Sequence, residues 1–314
     1  PGAGARRRSP GVSVGSEDEA MNSDRVQLVF CLFERDRQSP YPMALAATYC
    51  SIRQRTTLPL TVHVIADRSV SRRTKRRLRR CLKSTDRLRF HSAEAVPEAH
   101  RLAQRLDGHF SPAIVWRAWI TDYLPNLGRC ILLDCDLQVL LDISQIWSLD
   151  LQGMCLSAYP REKPHPQAYY DWLKTSRERY FRMGVCLMNL RRIRQCDAFI
   201  SGRHSFLEEA RRMKSTIPQA ALLEQSLFNR FFSKSFRPLP FPLIPSNRLA
   251  QDPERRRRIN RMLREHVPMI LDFKGWLNQS SLSLVFWSSL LHTPWRKCAV
   301  QQWVRPPGPP RSGL

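Results

Sequence analysis

Apolar and polar positions alternate along this chain in blocks that read as strands and helices. Val26 to Leu32 is a near-continuous apolar run of strand length, and Thr61 to Asp67 is a second. Between them, Met43 to Arg55 places Leu45, Tyr49 and Ile52 on one helical face. Arg72 to Leu82 reads as a strongly basic helix, and Leu88-Arg89-Phe90 as a third strand. Ser111 to Pro125 reads as one amphipathic helix, with Pro112 in its first turn and Pro125 after its last. The apolar run from Arg129 then ends on Asp134-Cys135-Asp136, and Phe181 to Leu190 is a further strand containing Gly184. Helical spacing returns from Asp197 to Lys214 and from Gln219 to Phe232. Pro238, Pro240, Pro242 and Pro245 then interrupt regular structure before a late strand, Met269 to Trp276. Such alternation without repeats predicts an α/β fold, a mostly parallel mixed sheet flanked by helices.

Composition adds boundaries. Residues 1–24 are rich in Pro, Gly, Ser and Arg and turn acidic at Glu17-Asp18-Glu19, so they are expected to be a disordered extension, with Met21 as a candidate start. The proline-rich tail, 299–314, is not expected to fold alone. One catalytic unit is expected over 25–298, with a ligand-binding core at 25–190 and an acceptor-side part at 191–298. No run of 18 apolar residues predicts a membrane span, and no signal-peptide pattern opens the chain. Nine cysteines at scattered positions, several inside apolar runs and none as Cys-x-x-Cys, read as buried reduced thiols and favour the cytoplasm.

The formal net charge is +24, concentrated at Arg72 to Arg80, Arg191 to Arg194 and Arg255 to Arg258. Nucleic acid, an anionic membrane surface or glycolipid, and a merely solvated basic face each account for it. No helix-turn-helix, zinc or single-strand-binding motif supports nucleic acid, so none is expected as partner.

Asp134 and Asp136 carry the chemistry. With 15 aspartates in 314 residues, about 0.7 Asp-x-Asp pairs arise by chance, so only context lends the motif weight. On an extended backbone the two carboxylates share a face, and two hard oxygen ligands suit Mg²⁺ or Mn²⁺ bound together with phosphates.

The order of motifs resembles the family 8 glycosyltransferases, retaining nucleotide-sugar enzymes that include bacterial lipopolysaccharide galactosyl- and glucosyltransferases. The resemblance runs from Val26 to Gly275. It rests on Trp116-Arg117 with Tyr123-Leu124-Pro125, Leu132-Leu133-Asp134-Cys135-Asp136, Phe181-Arg182-Met183-Gly184-Val185, Glu224-Gln225 with Asn229, and Asp272-Phe273-Lys274-Gly275. It implies a GT-A-like nucleotide-diphospho-sugar transferase fold and hexosyl transfer from a UDP-sugar to a saccharide or lipid-linked saccharide acceptor at the inner face of the membrane. Carried over, Asp134 and Asp136 would bind Mn²⁺ or Mg²⁺ across the UDP diphosphate, with Asp272 as a third ligand where the family has histidine. Gln225 would lie at the anomeric carbon during front-side, retaining transfer, with Glu224 beside the same sugar. Arg117, Arg182, Lys274 and Gly275 would contact the donor. The chain departs from the family at Phe33-Glu34-Arg35-Asp36, where an acidic pair grips uridine, and at Arg182-Met183, where the family has Asn-Ala. These departures leave open a protein of the same fold that binds sugar nucleotides without turning them over.

Overall fold

The computed structural model describes residues 24–36, 39–105, 111–161, 164–245, 253–273, 289 and 293–295. The expected extension before Asp24 and the tail lie outside the described residues, as do Lys274 and Gly275.

Seven strands form the main sheet in the order β3-β2-β1-β4-β7-β6-β8. They are β1 (Val26–Leu32), β2 (Leu60–Ala66), β3 (Arg87–Ser92), β4 (Arg129–Leu133), β6 (Leu156–Pro160), β7 (Phe181–Asn189) and β8 (Phe236–Pro238). β1 pairs in parallel with β2 and β4, and β2 with β3, whereas β7 runs antiparallel to both β4 and β6. β5 (Leu137–Leu140), β10 (Met269–Asp272) and β9 (Leu243–Pro245) make a second, smaller sheet.

Every residue of β1 and β2 is buried, as befits strands covered on both faces. β1 divides its side chains between two cores. Leu28 and Phe30 join the layer of α1 (Tyr41–Arg53), α2 (Arg72–Cys81) and α6 (Pro253–Arg264). Val29 and Cys31 join the layer of α3 (Pro97–Gln104), α4 (Asp197–Met213) and α5 (Leu223–Phe232), which also holds Trp116 and Trp119. The eight described cysteines are free thiols. Among the described residues, no helix is long and apolar enough to cross a membrane.

The apolar run from Arg129 is not one strand. β4 stops at Leu133, the chain bends through Asp134-Cys135-Asp136, and β5 leaves for the second sheet. The cause lies far away in sequence. The buried Thr48 hydroxyl on α1 donates to the Cys135 carbonyl at 2.6 Å and accepts from the Leu137 N–H at 3.0 Å, while Ser51 accepts from the Val139 N–H at 3.0 Å. These two helix hydroxyls take the place of a strand partner along one edge of β5. The Asp-x-Asp pair therefore sits on a bend, and the same-face argument from an extended strand does not apply.

Three further differences have local causes. The expected helix over Ser111–Pro125 is instead two short helical turns, Ala113–Trp116 and Ile120–Tyr123, around a 3₁₀ turn at Arg117–Trp119. β6 is a strand that the mixed polarity of Leu-Ser-Ala-Tyr-Pro conceals. β9 forms within the proline-rich stretch because an edge strand tolerates a missing N–H.

A buried histidine chain crosses β1, β2 and β3. The His63 ring lies 2.9 Å from the His91 ring nitrogen and 3.0 Å from Gln27 Oε1. Burial, with His91 and Arg89 adding, lowers the His63 pKa to about 3. Above the unfolded value of 6.5, both states hold His63 neutral and it contributes no pH dependence. Below it, the unfolded chain takes a proton that the folded chain refuses, so stability falls with pH down to about 3. His63→Gln is expected to remove up to about 1.4 kcal/mol per pH unit of that slope, read from urea midpoints between about pH 6 and 4.

Candidate functional site

The carboxyl ends of β1, β2 and β4, together with the start of the antiparallel β7, form one edge of the main sheet, where α/β sheets hold ligands. The Asp134 N–H donates to the Gly184 carbonyl at 2.8 Å, so its side chain lies across β7 at Gly184. A Cβ at that glycine would stand 2.6 Å from Asp134 Oδ2. Gly184 is thus the space into which the carboxylate fits. Gly184→Ala is expected to displace Asp134 and cut nucleotide binding at least tenfold, with a far smaller change in melting temperature, checked by titration calorimetry beside a thermal melt.

The 3₁₀ turn is what aims Arg117. Trp116 and Trp119 flank it and are fully buried in the second core, so the turn between them is fixed. Its guanidinium donates to Asp134 Oδ1 at 2.5 Å and to Glu224 Oε1 at 3.5 Å. Burial opposes the Arg117 charge, but the Asp134 and Glu224 carboxylates outweigh it and raise the pKa above the ordinary arginine value. Burial pushes the neighbouring Cys31 thiol up to about 12, so it is no nucleophile at neutral pH. Two further acids, Asp122 and Glu34, have other partners. Asp122 takes the Arg203 fork at 2.6 and 2.8 Å. Glu34 caps α2, accepting from the Ser71 N–H and the Thr74 hydroxyl, each at 2.9 Å.

Glu224 and Gln225 lie in the first turn of α5, which begins directly after the 3₁₀ turn Pro218–Leu222. The Gln225 amide donates to the Tyr180 hydroxyl at 2.7 Å, and its Oε1 accepts from the Met183 N–H at 3.4 Å. One helical turn on, Asn229 makes a paired contact with the β7 backbone. It accepts from the Phe181 N–H and donates to the Phe181 carbonyl, both at 2.9 Å. Asn229 thereby registers α5 on β7, and Ser226 adds a bond to the Tyr169 hydroxyl at 2.7 Å. Tyr180 and Tyr169 were not legible as site residues. A polar side chain buried at i+4 from Gln225 was the available signal for the helix–strand clasp.

Asp272 ends β10 and is 2% exposed. The following N–H, of Phe273, donates to the Asp136 carbonyl at 3.0 Å, tying the end of β10 to the bend. The carboxylate of Asp272 forms an ion pair with Arg182, two residues before Gly184 on β7. Tyr41, at the start of α1 and 47% exposed, is near enough to Asp136 and Asp134 for their charges, after burial itself, to raise its pKa. Its exposed ring beside acidic groups is a feature the sequence pattern did not single out.

A cavity of about 910 Å³ opens at the opposite strand ends among Arg129, Arg191, Arg192 and Arg194. Two of these arginines cap carbonyls there: Arg129 that of Leu149, and Arg194 those of Leu124 and Leu127, both at 2.7 Å. The acidic edge therefore remains the candidate site.

Residues 10–244 match the profile of Glycosyl transferase family 8. No curated protein matches the chain. Among solved structures, the apo bifunctional glycosyltransferase WbbM superposes with a TM-score of 0.67 at 16% identity, over 89% of this chain and 52% of that one. The chain thus spans about half the length of WbbM. The galactosyltransferase LgtC, solved with donor and acceptor sugar analogues, gives a TM-score of 0.60 at 18% identity, over 87% of this chain and 99% of that one. Mouse xyloside xylosyltransferase 1 gives 0.55 at 14% identity, over 80% and 98%. These likenesses are of fold, and the mixed seven-stranded sheet flanked by helices is the GT-A-like arrangement they share. With three quarters of its length inside the family profile, the chain belongs to glycosyl transferase family 8.

Proposed function

We propose that this protein transfers a hexose from a UDP-sugar, with retention, to a saccharide or lipid-linked saccharide of the lipopolysaccharide type. The observation that carries the reading is Arg117 held between Asp134 and Glu224. That bridge fixes the strand-end acid against the helix that carries Gln225, so the groups for the diphosphate and for the sugar are set relative to each other before any ligand arrives. Tyr41 offers an exposed ring for a nucleobase beside Asp136.

Asp134 and Asp136 are the residues that would hold Mn²⁺ or Mg²⁺, since hard carboxylate oxygens suit such an ion. When bound, the ion supplies Lewis acidity that offsets charge on the departing diphosphate. Among the described residues, no three His, Cys, Asp or Glu side chains converge as a metal-holding group. Asp272, the residue that would stand third, is ion-paired with Arg182, as Asp134 is with Arg117. The chain's own contribution at the sugar is the Gln225 carboxamide. Its orientation is fixed by Tyr180 and Met183, and the amide oxygen keeps a second lone pair for the positive charge that develops at the anomeric carbon.

Hydrolysis and thermal-shift screens with UDP-glucose and UDP-galactose, with and without Mn²⁺, test the reading. Slow hydrolysis is expected, and Asp134→Asn is expected to lose it. A protein that binds sugar nucleotides but never hydrolyses them would be the non-catalytic alternative.

The acceptor-side proposal includes peripheral binding to an anionic cytoplasmic membrane surface. α2 exposes Arg72, Arg73, Arg76, Arg79 and Arg80, while Thr74 and Leu78 are its buried side. Lys75 and Arg79 lie over Phe90, and Arg77 over Trp295, so part of this charge is held against the protein. Flotation with anionic liposomes is expected to recover the protein at low salt. Changing Arg72, Arg73, Arg76 and Arg80 to Gln should weaken binding by about 1 kcal/mol per charge.

A further inference from the structure

We infer that the guanidinium of Arg182, anchored on Asp272, binds the donor's diphosphate, so that nucleotide binding by this chain survives removal of divalent metal. This inference rests on the diphosphate-sugar reading of the site. Arg182 follows Phe181 at the start of β7, at the acidic edge of the sheet. Two residues on, Gly184 makes room for the Asp134 carboxylate. Arg182 reaches across to Asp272 at the end of β10, and the next N–H, of Phe273, donates to the Asp136 carbonyl at 3.0 Å. Arg182 brings a fixed positive charge into the space between the Asp-x-Asp bend and the end of the second sheet.

Three observations favour an anion-binding role over a plain structural ion pair. The Asp272 side chain is 2% exposed, whereas that of Arg182 is 16% exposed, so the cation is the partner that still meets solvent. A guanidinium carries five N–H donors in a planar fork, and the Asp272 contact is made through Nη2 alone, which leaves donors suited to phosphate oxygens. A second guanidinium stands close by. The Arg161 N–H donates to the Tyr180 carbonyl at 3.0 Å, directly after β6, and burial together with the like charge of Arg182 lowers the Arg161 pKa. Two guanidinium groups at one strand edge concentrate positive charge there, which suits a diphosphate. Asp272 then serves to orient Arg182 and not to ligate metal.

Titration calorimetry with UDP, and separately GDP, in excess EDTA and in saturating MnCl₂ tests this. UDP is expected to bind in EDTA within about tenfold of its affinity with Mn²⁺. Arg182→Asn is expected to lower the EDTA affinity by roughly 10- to 150-fold, the range for losing hydrogen bonds to a charged group. Arg182→Lys, which keeps the charge but not the fork, should fall between and serves as the comparison if the asparagine variant unfolds. The double variant Arg182→Asn with Asp272→His is expected to recover affinity in MnCl₂ and not in EDTA, converting the site to metal dependence. Binding by the natural chain only in MnCl₂, or EDTA affinity unchanged in both Arg182 variants, overturns the inference while the diphosphate reading stands. Absence of binding by either nucleotide in either medium overturns that reading and this inference with it.

Discussion

Arg117→Ala is expected to destabilise the fold by roughly 3–5 kcal/mol, the range for removing one partner from a buried ion pair. It should also abolish nucleotide binding at any temperature where the protein stays folded. Arg117 is buried, and both of its partners, Asp134 and Glu224, are buried with it. Alanine leaves two carboxylates close together without the cation between them, so each raises the cost of the other's charge. Urea unfolding at neutral pH reads the loss. Adding Glu224→Gln to Arg117→Ala removes one of the two stranded charges and should recover part of the stability without recovering binding. Arg117→Lys should keep most of the stability, yet bind nucleotide more weakly, because a single ammonium cannot span both carboxylates as the fork does. An unchanged midpoint in Arg117→Ala would mean that water reaches the carboxylates, and the buried bridge would then not be what holds strand to helix.

The sequence made some of this architecture legible and hid the rest for definable reasons. β1 and β2 are apolar on both faces, so length and composition sufficed to find them, and their order with the intervening helices implied a largely parallel sheet. The Asp-x-Asp pair and the Glu224-Gln225 helix were visible because chemistry-bearing residues stood at the ends of such elements. What stayed hidden depends on contacts distant in the chain. The bend at Asp134 is held by Thr48, which touches Cys135 and Leu137 from more than 80 residues away. The 3₁₀ turn that aims Arg117 is fixed by tryptophans in a core shared with α4 and α5. The ion pair of Asp272 stayed hidden because nothing near it in sequence reveals Arg182, which lies 90 residues earlier on another strand. Local pattern located the acids, and tertiary packing decided which partners they took.

Gln225→Ala is expected to lower kcat by roughly 10²- to 10³-fold, the range seen when one preorganised group facing a developing charge is deleted. Substrate KM should change far less, because the diphosphate contacts lie on Asp134, Asp136 and the arginines. The amide is positioned at both ends: Nε2 donates to Tyr180 and Oε1 accepts from the Met183 N–H. Deleting it also leaves a buried hydroxyl and a backbone N–H without this partner, so a stability loss of about 1–3 kcal/mol should accompany the kinetic one. Tyr180→Phe separates the two effects. It removes one of the two anchors of the amide, with the Tyr169–Tyr180 hydroxyl contact, and leaves the Met183 N–H bond, so kcat should fall by a smaller factor with little change in KM. Gln225→Glu keeps the size and places a full negative charge by the sugar. Beside Glu224 that charge is costly, so its carboxyl should hold its proton to higher pH, and kcat should fall as it ionises. If Gln225→Ala raised KM as strongly as it lowered kcat, the residue would be holding the ground-state donor, and the sugar's developing charge would have to be met by Glu224 instead.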